Sequence, residues 1–209
     1  MLLAIALAAA AAAPPAPAAS PLFADEELAA ALGSIDPQPG AWVEYLIRAK
    51  EKGNLRLRAT VLPASGDGRY WLELASASDT GLVSAARLLL RGNELSAGAV
   101  ERMALMVAGQ QPIEVPPEQL PRVSTTPRAQ MQASQLGRER VRVPAGEFTA
   151  EVIRISRTKV WRSAGVPLWG LVKAVSPRQS IELVSSGRSG GSSLFPPGWG
   201  QGNGSDKRK

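Results

Sequence analysis

Arginines carry the most patterned chemistry in this sequence. Arg138, Arg140 and Arg142 alternate with Glu139 and Val141, and in an extended chain residues two apart project from one face. Three guanidinium groups in a row would receive anionic groups, either a lipid headgroup or the carboxylates of an acidic partner. Arg154, Arg157, Lys159 and Arg162 follow and extend the basic character. A solvated outer sheet face explains the same pattern without a ligand. Trp42, Trp71, Trp161 and Trp169 form the other conspicuous group; they suit the mouth of a binding site, or packing in a core or at an edge.

Catalytic chemistry is sparse. The chain has no His and no Cys. That removes the usual general base near neutral pH, the commonest metal ligand, the thiolate nucleophile, disulfides and a cysteine for N-terminal acylation. No G-x-S-x-G elbow is present, so a serine nucleophile would depend on a desolvated Lys as base. Glu139 and Glu147 flank a predicted hairpin and are expected to be exposed carboxylates. The Asp residues are scattered, which is a poor arrangement for a carboxylate metal site. The expectation is a protein that is not an enzyme, with no cofactor and no metal.

The elements that would hold these residues follow from periodicity. Residues 42–48, 55–62 and 69–76 alternate apolar and polar side chains, with Val43, Tyr45 and Ile47 on one face of the first. Joined by short polar turns, they predict a meander of antiparallel hairpins, with residues 87–91 as a fourth strand. Strand signals return at residues 138–143, then 148–156 after a Pro144-Ala145-Gly146 turn, then 159–162, 170–175 and 180–185. Between the two groups, Val100, Met103, Ala104 and Val107 fall at i, i+3, i+4 and i+7. That spacing predicts a helix over residues 96–108, capped by Ser96 and stopped by Gly109. A shorter helix is expected at residues 25–32, between an Asp25 cap and Gly33. Residues 112–127 read as Pro-rich and irregular, and residues 128–135 carry no assignable pattern.

These elements predict an α+β fold: a mainly antiparallel, curved β-sheet (a half-barrel) with the 96–108 helix packed on its concave face. Val100, Met103, Met106 and Val107 of that helix, with Trp161 and Trp169, would line an apolar binding site, and methionine suits a surface that must repack.

The ends of the chain differ from its body. Residues 1–13 are an apolar run followed by Pro14 and Pro15. It is too short for the roughly 20 residues of a membrane span and matches a secretory h-region. Ala16-Pro17-Ala18 supplies a cleavage pattern, and Leu22-Phe23-Ala24 a second, although no Lys or Arg precedes the run. The expected organisation is a signal peptide at 1–18, a short helix and linker at 19–40, one β-rich domain at 41–187 and a disordered basic tail at 188–209. The net charge is +6, of which the last four residues supply +2. A basic domain favours anionic partners, and export argues against nucleic acid as one of them. At 44% hydrophobic and 20% charged residues, the body should be globular.

Residues 136–187 contain Gly137-Arg138-Glu139, Val143-Pro144-Ala145-Gly146-Glu147-Phe148, Val160-Trp161 and Val166-Pro167-Leu168-Trp169-Gly170-Leu171-Val172-Lys173, closed by Ile181-Glu182-Leu183. This stretch resembles exported bacterial proteins with the half-barrel fold of the periplasmic lipoprotein carriers (LolA/LolB-like), many of them uncharacterised. The resemblance implies a curved sheet wrapped around helices, an apolar hollow for acyl chains and no catalytic residues. The resulting expectation is an exported protein of the periplasm or cell envelope, not integral to the membrane. It would carry or sense an apolar or amphiphilic ligand such as a lipid or a lipoprotein acyl chain. The alternative is an envelope module that docks a protein, acidic or acylated, without a small-molecule ligand. An open apolar hollow would favour the first, and a hollow filled by the protein's own side chains the second.

Overall fold

The computed structural model describes residues 34–50, 53–64, 68–79, 81–93, 99–116, 118, 133–197 and 199. The signal segment and the 25–32 helix predicted from sequence lie outside them. Eleven strands form: β1 (Trp42–Ala49), β2 (Gly53–Pro63), β3 (Arg69–Ser78), β4 (Gly81–Arg91), β5 (Val100–Val107), β6 (Ile113–Val115), β7 (Ala133–Val143), β8 (Gly146–Ile155), β9 (Thr158–Arg162), β10 (Leu171–Val175) and β11 (Gln179–Gly187). They make one open sheet in the order β6-β5-β4-β3-β2-β1-β11-β10-β9-β8-β7. Each neighbouring pair is antiparallel.

The predicted α+β class is therefore corrected to all-antiparallel β. Among the described residues there is no α-helix, and none covers a face of the sheet. The 96–108 segment forms strand β5 instead. Its apolar run Met103-Ala104-Leu105-Met106-Val107 is nearly continuous, so it satisfies a helical stripe and a strand buried on both faces equally well. Tertiary pairing decides between them: β5 sits between β4 and β6, with Leu88 opposite Met103, Ala86 opposite Leu105 and Ala85 opposite Met106. The pairing overrides the good local helix propensity of Ala, Leu and Met.

Period-2 alternation gives the sheet two distinct faces. The inner face carries the main core. Val43, Tyr45 and Ile47 of β1 meet Leu57, Ala59 and Val61 of β2, Leu72 and Leu74 of β3, and Ile181 and Leu183 of β11. The loop after β9 folds back into this core, burying Val166, Leu168 and Trp169. Ile35 enters from the other end of the chain, held where Asp36 N–H donates to the Leu168 carbonyl at 2.8 Å. The β7–β8 turn is as tight as its sequence suggests: Val143 faces Gly146 across Pro144-Ala145, and Gly146 adopts φ +128°. That conformation suits glycine, which has no Cβ to clash. The Ala145 N–H donates to the Leu183 carbonyl at 3.1 Å, pinning the turn to β11.

A second, smaller core lies on the outer face. Ala75, Ala85 and Ala104, on three neighbouring strands, are covered by Phe195, with Met106 and Trp199 beside them. Residues 188–197 and 199, which the sequence reading places in the tail, thus cross the outer face as a strap. Gly191 lets it pass close to β2: a Cβ there would stand 2.6 Å from Thr60 Cγ2 and 2.8 Å from the Gly40 carbonyl oxygen.

Candidate functional site

The residues expected to bind an apolar ligand separate into four places. Val100, Met103 and Val107 share the inner face of β5; Val100 packs on the main core, and Val107 is exposed. Met106 points the opposite way, under the strap. Trp169 is buried in the main core and stacks on Tyr45, with ring centroids 6.4 Å apart and planes at 17°. Tyr45 donates to the Leu171 carbonyl at 3.1 Å, and burial pushes its hydroxyl far above the usual tyrosine range. Among the described residues, the Tyr70 hydroxyl has no hydrogen-bond partner, and burial pushes Tyr70 up to about 12.

Trp161 is on the outer face, in a ladder of alternating charge. Its Nε1 donates to Glu139 Oε2 at 3.0 Å, while Lys159 Nζ reaches the same carboxylate at 3.0 and 3.2 Å. Lys159 lies 4.6 Å and Lys173 6.0 Å from the Trp161 ring. Lys173 Nζ donates to Glu182 Oε1 at 2.8 Å, and Arg48 donates to Glu182 Oε2 at 2.5 Å. The hydrogen bonds from Lys159 and then Trp161 hold the Glu139 carboxyl below the usual range. For Glu182, burial pushes upward, but the hydrogen bonds from Lys173 and Arg48 outweigh it and leave the carboxyl lowered. Every cation in this ladder has an acceptor, so it reads as a satisfied polar surface.

Arg138, Arg140 and Arg142 do line up, on β7. Residues 133–140 are all exposed, and one edge of β7 pairs with β8 while the other has no partner among the described residues. Two of the three arginines form ion pairs with glutamates on β8, Arg138 with its register partner Glu151 at 3.1 Å and Arg140 diagonally with Glu147 at 3.9 Å. These contacts are open to water: the arginine side chains are 73% and 82% exposed, too solvated to be fixed by such pairs. Arg142 faces Glu147 in register. A register shift at Gln135/Gly137 bends the outer end of the strand.

Sequence reasoning missed the most enclosed polar cluster. Glu73 and Arg87 face each other across β3 and β4 on the outer face, with side-chain exposures of only 2% and 7%. Arg87 Nη2 and Nε donate to Glu73 Oε2 at 3.1 and 3.3 Å. The strap completes the set. Leu194 N–H donates to Glu73 Oε1 at 2.7 Å, Ser193 Oγ donates to Glu73 Oε2 at 2.8 Å, and Arg87 Nη1 donates to the Trp199 carbonyl at 2.6 Å. Arg87 also donates to Ser193 Oγ, and its guanidinium lies 4.5 Å from the Phe195 ring centroid. The signal was available as one opposite charge in the middle of each of two apolar strands, Leu72-Glu73-Leu74 and Ala86-Arg87-Leu88.

A shallow depression of about 320 Å³ opens at the hairpin ends, lined by Arg48, Lys50, Val175, Ser176 and Gln179 among others. Among the described residues, no helix is long and apolar enough to cross a membrane, and no group of three acidic side chains is placed to hold a metal ion.

No family model matches the chain, and no curated protein matches it. Among solved structures, it is similar to a "putative lipoprotein" from Parabacteroides distasonis ATCC 8503. The two share 10% identity with a TM-score of 0.36, covering 72% of this chain and 97% of that one. A likeness this loose does not confirm the lipoprotein-carrier fold.

Proposed function

We propose that the protein is an exported, non-enzymatic interaction module of the cell envelope that docks an extended segment of an acidic partner along β7. The observation that supports this reading is β7 itself. It is an eleven-residue edge strand, anchored at its turn end and exposed for eight consecutive residues at the other. Unpaired N–H and C=O groups on such an edge bind an added strand, and side chains of alternate residues supply specificity. Here those side chains are Arg138, Arg140 and Arg142. The inner face is filled by the protein's own side chains, Trp169, Tyr45, Leu57, Leu72 and Leu183 among them, which supports docking over carriage.

The test is NMR titration with a peptide of alternating Glu and Thr. Shifts should concentrate on β7 amides, weaken with salt and vanish when Arg138, Arg140 and Arg142 are all changed to Glu. A protein whose β7 amides stay unmoved at millimolar peptide refutes the reading.

A carrier role has one observation in its favour. Met103 faces Val115 and Leu105 faces Ile113 on the inner side of β5–β6, where Val107 is 41% and Ile113 63% exposed. An acyl chain burying ~10 methylenes there would gain about 8 kcal/mol before ordering costs, a dissociation constant near 1 μM. Titration with a fluorescent fatty acid, in wild type and Met103→Asp, decides this: binding weaker than about 100 μM in both folded proteins removes the carrier reading.

A further inference from the structure

The strap does not simply lie on the sheet; it engages it as a bound peptide would. Over the Glu73–Arg87 pair its backbone supplies an N–H, from Leu194 to Glu73, and a carbonyl, from Trp199 to Arg87, while nearer β1 and β2 the Gly191 N–H donates to the Gly40 carbonyl and the Ser189 carbonyl accepts from Trp42 Nε1. Its side chains supply a hydroxyl and a ring, Ser193 to Glu73 and Phe195 to the floor of Ala75, Ala85 and Ala104. Small side chains on three adjacent strands leave a depression the size of an aromatic ring, and Phe195 fills it to 4% exposure. The rest of the strap stays at the surface: Ser192, Ser193, Leu194, Pro196 and Pro197 are all exposed. A segment held by one buried ring and a few hydrogen bonds belongs to the part of a structure that opens before the sheet does.

The socket beneath does not depend on the strap for its shape. Glu73 and Arg87 are directly opposed in the β3–β4 register and hydrogen-bond each other. When the strap leaves, each keeps its charged partner, and water replaces the peptide groups. The alanines are held by strand pairing on both sides of β4.

We propose that the outer face of β3–β5 is a peptide-docking groove, occupied in cis by the protein's own residues 193–197 and 199. Its external ligand is an extended polypeptide segment bearing a hydroxyl residue two positions before an aromatic one. The strap is an intramolecular competitor: its tether keeps its local concentration high, so an outside segment binds only in proportion to the fraction of open grooves. This site is separate from β7 and stands or falls independently of it.

The probe is a fluorescein-labelled peptide of residues 190–199, titrated by anisotropy against full-length protein. Wild type should bind it weakly. Phe195→Ala, which empties the ring site, should bind at least about tenfold more tightly, the gain expected when the competent fraction rises tenfold. Leu194→Pro removes the N–H that Glu73 accepts, at an exposed position, and should open the groove too; it serves if Phe195→Ala unfolds. Adding Arg87→Met to either open variant should abolish the gain. Folded open variants that bind no tighter than wild type overturn the proposal. So does a wild-type dimer by sedimentation that Phe195→Ala converts to monomer, because the strap would then be exchanged between copies.

Discussion

Glu73–Arg87 and Glu182–Lys173 are both carboxylate–cation pairs directly opposed across antiparallel strands, on the same outer face of one sheet. Their side-chain exposures are 2% and 7% in the first pair, and 16% and 24% in the second. The sheet presents them alike, and the difference comes from what lies above. Phe195 and Trp199 cap the first pair; the second shares its carboxylate with Arg48 and stays partly open to water. Enclosure makes loss of either partner expensive, because the survivor keeps its charge without water. Partial access to water and a second cation on the same carboxylate make the same loss milder. The strap therefore converts an ordinary cross-strand pair into a structural commitment.

The largest effect is expected for Glu73→Ala. Arg87 would remain enclosed without its anion, at a cost of about 3–5 kcal/mol in urea denaturation. Replacing both residues, Glu73→Leu with Arg87→Met, should cost less than that single change, since no charge is stranded. A double variant worse than Glu73→Ala would break the comparison. Next comes Phe195→Ala, which loses a buried ring and releases the cap; about 2–3 kcal/mol is expected, read from the urea midpoint. Arg48→Ala and Lys173→Ala should each cost less than about 1 kcal/mol, because water screens both pairs. Raising the salt concentration should shrink that cost further.

Acid gives the smallest and most diagnostic effect. The folded protein holds Glu182 and Glu139 below the ordinary glutamate value of 4.5, so on acidification the unfolded chain takes up protons first. The contribution of these carboxylates is complete above about 4.5 and is lost as pH falls through their lower folded values. Glu182→Gln should flatten the acid limb of a stability–pH curve below 4.5 and leave it unchanged near neutrality. An unaltered acid limb would show that the ladder is electrostatically idle.

Much of the sheet could be read from alternation. Residues 42–48, 55–62 and 69–76 lie within β1, β2 and β3, because each puts alternate apolar side chains into the main core and polar ones such as Glu44, Arg58 and Glu73 on the other face, which gives a period of two. β5 defeated the same logic because both its faces are apolar, with Ala104 and Met106 under the strap and Met103, Leu105 and Val107 on the inner side. β6 is three residues long and β7 begins inside a polar stretch, so neither offers a periodic window. The arginine row was legible as a row, since it needs only local alternation. The Glu73–Arg87–Ser193 cluster joins residues up to 121 positions apart through the adjoining Leu194 contact, and no local pattern encodes which distant segment will cover a charge.

The order of the strands has a kinetic consequence. Every neighbour pair in the sheet joins consecutive strands except one, β1 with β11, whose ion pair links Arg48 to Glu182 across 134 positions. β1–β6 and β7–β11 can each assemble by successive hairpins, which closes short loops and is fast. Their union waits for β11 to find β1. Until then β1 presents a bare edge lined by Val43, Tyr45 and Ile47, a template for the wrong chain as much as for β11. Folding of this protein should therefore show an early meander phase and a slower closing phase. Its tendency to aggregate should depend on how long β1 stands alone between them.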